Sequence, residues 1–95
     1  MKKPKIHIVE FVELLSRTRE MYKNKEDTRF VPVRYLALKQ FSDFILNRLG
    51  LEDDESRNLI REAISSEGYD YNDIIELMKK LKKKRVKFKT DIWES

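Results

Sequence analysis

Apolar side chains return every three or four residues along most of this chain, and the pattern divides into four helices. Ile8, Phe11, Val12, Leu15, Thr18 and Tyr22 hold that spacing over 8–23, with Glu10, Glu13, Arg17 and Glu20 on the opposite stripe. A second helix is predicted from Pro32, a residue suited to a first helical turn, to Leu49, with Gly50 supplying the left-handed closing position. Val33, Leu36, Ala37, Phe41, Phe44 and Ile45 form its expected face. Leu38, Leu46 and Leu49 spread apolar character further around it, as in a helix at the centre of a bundle.

A third helix is expected after Glu52-Asp53-Asp54-Glu55, whose carboxylates suit a helix N-terminus. Leu59, Ile60, Ala63 and Ile64 form its stripe, and Gly68 is the expected stop. A fourth opens near Asp70 or Tyr71, with Asp73 in its first turn and the flanking Tyr69 and Tyr71 read as core residues, and carries Ile74, Ile75, Met78 and Leu81 to about Lys84. Lys5-Ile6-His7-Ile8 and Val86-Lys87-Phe88-Lys89 alternate with period two, so each end can form a short strand. The fold class expected is all-α: a small bundle of about four helices. Its pair 55–67 and 71–84 resembles a helix-turn-helix, and short extended segments lie at both termini. Residues 1–85 are read as one helical domain and 86–95 as a basic, aromatic tail.

Ninety-five residues leave room for one core. With no cysteine, one histidine and two glycines, the chain lacks material for a thiol nucleophile, a Cys-based zinc site or a glycine-rich phosphate loop. No enzyme, cofactor or metal is expected. His7 has no triad or metal-ligand spacing around it and is read as structural. The 52–55 carboxylates lack the alternating ligands and turn glycine of a calcium loop, so they are read as a helix cap. No apolar run is long enough to cross a membrane, and an intracellular, cytoplasmic location is expected. Abundant Lys and Glu with a single Gln resemble the habit of hyperthermophile proteins, which points to a thermophilic archaeon or its virus.

Charge changes this picture most. Residues 1–49 carry net +5, 50–77 net −7 and 78–95 net +6, so a modest total of +4 conceals two basic ends around an acidic middle. Eight of the eleven positions 79–89 are cationic: Lys79, Lys80, Lys82, Lys83, Lys84, Arg85, Lys87 and Lys89. Such a run attracts phosphate backbones by releasing condensed counterions, with little dependence on base sequence. Arg29 and Arg34, flanking Phe30-Val31-Pro32, extend the candidate nucleic-acid surface. Phe88, Ile92 and Trp93 are candidates for docking a partner. Tyr71, Asn72, Asp73 and Glu76 stand where a recognition helix reads bases, but two of them are acidic, which disfavours major-groove reading.

The leading expectation is a non-enzymatic protein that contacts DNA or RNA through phosphates. The alternative is an accessory subunit of a larger replication, transcription or translation complex, acting by protein–protein contacts through apolar and aromatic surface. A homodimer is also open.

Overall fold

In the computed structural model, which describes residues 5–25 and 31–90, the chain opens with strand β1 (Lys5–His7) and passes directly into helix α1 (Ile8–Lys25). Helices α2 (Val31–Leu49), α3 (Asp54–Ser65) and α4 (Tyr71–Lys83) follow, and strand β2 (Lys87–Lys89) ends the described chain. The fold is a small all-α bundle with a two-stranded parallel ribbon joining its two ends, in which Lys5, Ile6 and His7 pair with Lys87, Phe88 and Lys89. No helix among the described residues is long and apolar enough to cross a membrane.

Strand β1 and all four helices give side chains to one core, in which Ile6, Phe11, Leu15, Ile45, Leu49, Ile60, Ala63, Leu77, Leu81 and Val86 are buried, and Phe88 of β2 packs against it. Helices α1, α2 and α3 pack against one another, while α4 lies on α3 and leads into the ribbon. Arg48 at the end of α2 grips the Glu10 carboxylate through Nε (3.2 Å) and Nη2 (2.9 Å), fastening α2 to the first turn of α1.

The helix ends are set by local chemistry. The His7 Nδ1 accepts from the Val9 N–H at 3.2 Å, so the imidazole caps α1 where strand turns into helix. Asp53 caps α3, its carboxylate accepting from the Ser56 N–H (3.0 Å) and hydroxyl (2.8 Å). Asp70 and Asp73 cap each other's backbone N–H at the start of α4. Helices α2 and α4 close in the same way. The Gly50 N–H donates to the Asn47 carbonyl and the Leu51 N–H to Leu46. At the second helix, Arg85 donates to Lys82 and Val86 to Leu81. Both closing residues are left-handed, Gly50 at φ 69° and Arg85 at φ 72°.

Three expectations are corrected. The core face of α2 keeps Ala37 and Ile45 of the expected set but leaves out Leu36 and Phe44, which are 56% and 64% exposed, and turns instead through Ser42, Leu46 and Leu49. The buried Ser42 disguises that face, because its hydroxyl is satisfied by the Leu38 carbonyl one turn back at 2.7 Å. Gly68 does not stop α3, which ends at Ser65 with Ser66 extended and its N–H returned to the Glu62 carbonyl. Tyr71, a candidate core residue, is 70% exposed, whereas Tyr69 packs against the core.

Candidate nucleic-acid interface

The basic run 79–89 divides between two elements and the turn joining them. Lys79, Lys80, Lys82 and Lys83 lie on the second half of α4. Lys84 and Arg85 form the turn, and Lys87 and Lys89 belong to β2. Because Leu77, Leu81 and Val86 are drawn into the core, the intervening cations are left at the surface. Over 86–90 the expected tail is packed onto the helical body: Val86 is 4% exposed, and the Phe88 ring meets Phe11 edge to face. Phe88, expected to dock a partner, thus spends much of its surface inside the fold. Ile92, Trp93 and Arg29 lie outside the described residues, as does the side chain of Arg34 in the first turn of α2.

Two of the eight cations are engaged within the molecule. Lys84 Nζ lies 3.2 Å from Asp53 and 3.0 Å from Glu55, which raises its pKa above the ordinary lysine value through hydrogen bonds first to Glu55 and then to Asp53. The same contact helps hold Asp53 down at about 2, behind the larger effect of the Ser56 hydroxyl and N–H. This contact joins the residue that caps α3 to the residue that follows α4, so it ties the outer ends of the pair together, and the acidic residues Asp73 and Glu76 near the start of α4 are exposed. Lys79 sits 3.5 Å from Glu76 on its own helix, a solvent-exposed contact of little weight. Lys80, Lys82, Lys83, Arg85, Lys87 and Lys89 form no ion pair among the described residues.

The ribbon adds a cation that sequence reasoning left apart. Parallel pairing places Lys5 opposite Lys87 and His7 opposite Lys89, while Ile6 and Phe88 turn toward the core. Lys5, Lys82, Lys87 and Lys89 then border one shallow depression with Val86, Phe88 and Thr90, and among the described residues no acidic side chain lines it. Paired strands lie about 4.8 Å apart, so opposed lysines disfavour the ribbon by roughly 0.2–1 kcal/mol. Alternation in both terminal segments signalled strands, but nothing in one sequence fixes their register.

The Arg19 guanidinium donates to the Ala63 carbonyl at the end of α3 and stands 5.1 Å from the Tyr69 ring centroid. Burial, followed by the nearby Asp73 and Glu62 charges, pushes the Tyr69 hydroxyl up to about 12. His7 Nε2 is buried without a hydrogen-bond partner among the described residues. No three His, Asp or Glu side chains converge as a metal site among them. No family model, curated protein or solved structure matches this chain.

Proposed function

We propose that this protein binds the phosphate backbone of nucleic acid, DNA or RNA, through the surface shared by the second half of α4 and the β1–β2 ribbon. The observation that carries this reading is the depression on which Lys5, Lys82, Lys87 and Lys89 converge, with no acidic side chain among its described lining residues. Lys83 and Arg85 add exposed cations at the helix end and turn, whereas Lys80 borders a separate groove with Glu62, Asp73 and Glu76. Lysines bind as hydrated point charges without planar specificity, which favours phosphates over base edges. The mechanism is electrostatic capture, without catalysis.

Fluorescence anisotropy with labelled duplex and single-stranded oligonucleotides across a salt series tests it. Three or four phosphate contacts at the depression give a slope of log K against log salt of about −2.7 to −3.6 on duplex DNA. Absence of binding at low salt, or binding indifferent to salt, rules the reading out.

A second reading is favoured by one different observation. Tyr35, Leu36 and Phe44 on α2 are large, apolar and exposed, which suits a protein-facing accessory subunit of a replication, transcription or translation complex. A stoichiometric complex that survives high salt and is lost with Phe44→Glu supports that role.

A further inference from the structure

The two ends of the described chain are joined by a ribbon that works partly against itself. Each strand has three residues, too few to hold as an isolated pair. The inward pair Ile6 and Phe88 favours closure through the core. The outward pair, Lys5 with Lys87, brings two like charges together on one face, and Lys89 stands two residues further along the same strand. Lys82 reaches the same depression from α4. Extra positive charge concentrated on a weak element makes that element sensitive to an anion.

Building on the nucleic-acid reading above, we propose that the ribbon is itself a phosphate site. One phosphate is held between the ammonium groups of Lys5 and Lys87, and binding a phosphodiester backbone thereby fastens the two chain ends together. Neighbouring strands are separated by about 4.8 Å, a spacing that lets two lysine side chains from the same face close on the oxygens of one phosphate. The bound anion turns the repulsive cross-strand pair into a bridged one, so ligand affinity and ribbon closure rise together. Lys82 and Lys89 then face the adjacent phosphates of a backbone or of a linear polyphosphate. A free polyphosphate offers the same chemistry without sugar or base, which separates the site from its biological ligand.

The test is amide hydrogen exchange on the full chain, read at residues 5–7 and 87–89. It is run for the free protein, with inorganic tripolyphosphate, and with a duplex oligonucleotide whose binding is followed separately by anisotropy. Both ligands are expected to slow exchange of the ribbon amides severalfold, with little change in the centre of α2. Lys87→Glu replaces the repulsive pair by an opposite-charge pair. It is expected to slow ribbon exchange in the free protein, weaken duplex binding, and abolish further slowing by either ligand. Lys87→Gln keeps the side chain's reach without charge and should fall between the two. Duplex binding that leaves ribbon exchange unchanged overturns the phosphate bridge while leaving backbone binding intact. Slowing by tripolyphosphate without any duplex binding supports the bridge and removes the nucleic-acid reading. A Lys87→Glu ribbon that exchanges faster than the original also overturns the proposal.

Discussion

Phe11 of α1 and Phe88 of β2 meet edge to face, their ring centroids 5.2 Å apart and their planes at 70°. Phe11 is fully buried and Phe88 partly so, and Phe88 is also the register partner of Ile6. One aromatic contact therefore ties the last described element to the first helix. Phe88→Ala is expected to lower the unfolding free energy by about 2–3 kcal/mol, less than a fully buried phenylalanine costs because part of this ring meets solvent. Urea denaturation measures it, and Phe88→Leu should recover more than half of the loss. An unchanged midpoint would mean that the ribbon unfolds independently of the helices.

Gly50 and Arg85 occupy equivalent closing positions and carry different costs. Both have positive φ and both complete the same pair of backbone hydrogen bonds. Arginine has a Cβ that the left-handed conformation disfavours, whereas glycine has none. Arg85→Gly is expected to stabilise the fold by about 0.5–1 kcal/mol, and Gly50→Ala to destabilise it by about 1 kcal/mol. Opposite shifts of the thermal midpoint check the pair. Arg85→Gly should also weaken duplex binding slightly, since one surface cation goes with it.

Much of this architecture is legible in the sequence because its strongest signals are local. The 3.6-residue period located four helices, Gly50 marked one closure, and Asp70 with Asp73 marked one opening. The equivalent closure at Arg85 carries no glycine and so leaves no trace in composition. Helix α2 misleads for a related reason: it is apolar on two sides, and its buried side contains Ser42, whose polarity is cancelled by a bond to its own helix. At the candidate interface the lysine run is plain in the sequence, but its division is not. Lys84 is claimed by Asp53 and Glu55 from 29 or more positions away, and Lys5 joins the group from the other end of the chain. Both facts depend on pairing distant segments, which a single sequence does not encode in any local pattern.

Asp53 and Lys84 give stability a defined dependence on pH. Ser56, then Lys84, lower the Asp53 pKa from 3.8 to about 2 in the folded protein. A depressed carboxylate stabilises fully above its unfolded value, and the contribution disappears as pH falls toward its folded value. This clasp should therefore be intact at pH 5 and lost between about 4 and 2. Lys84 behaves in the opposite sense: its folded pKa is raised above 10.5, so its contribution is complete below that value and fades as the pH climbs beyond it. Asp53→Asn keeps a capping oxygen but removes the charge. It is expected to lower the thermal midpoint at neutral pH and to flatten the decline between pH 4 and 2. A variant whose acid profile matches the original would show that other carboxylates govern acid unfolding.

The eight cations of 79–89 should separate by function when they are neutralised one at a time. Lys82 and Lys87 border the depression and form no ion pair among the described residues, whereas Lys84 is held by two carboxylates on the neighbouring helix end. Lys82→Gln and Lys87→Gln are each expected to make the salt slope of duplex binding shallower by about 0.9, the signature of one lost phosphate contact. Their thermal midpoints should hold or rise slightly, because each removes a charge that repels its neighbours. Lys84→Gln should do the reverse, lowering the midpoint by freeing Asp53 and Glu55 while leaving the slope nearly unchanged. The freed carboxylates stand beside the turn that follows α4, so affinity should drop a little through repulsion even though no contact has been lost. Parallel thermal melts and salt titrations on the three variants decide the matter. Equal slopes for Lys82→Gln and Lys84→Gln would mean that Lys84 leaves its carboxylates when the backbone binds, and that the α3–α4 clasp opens in the complex.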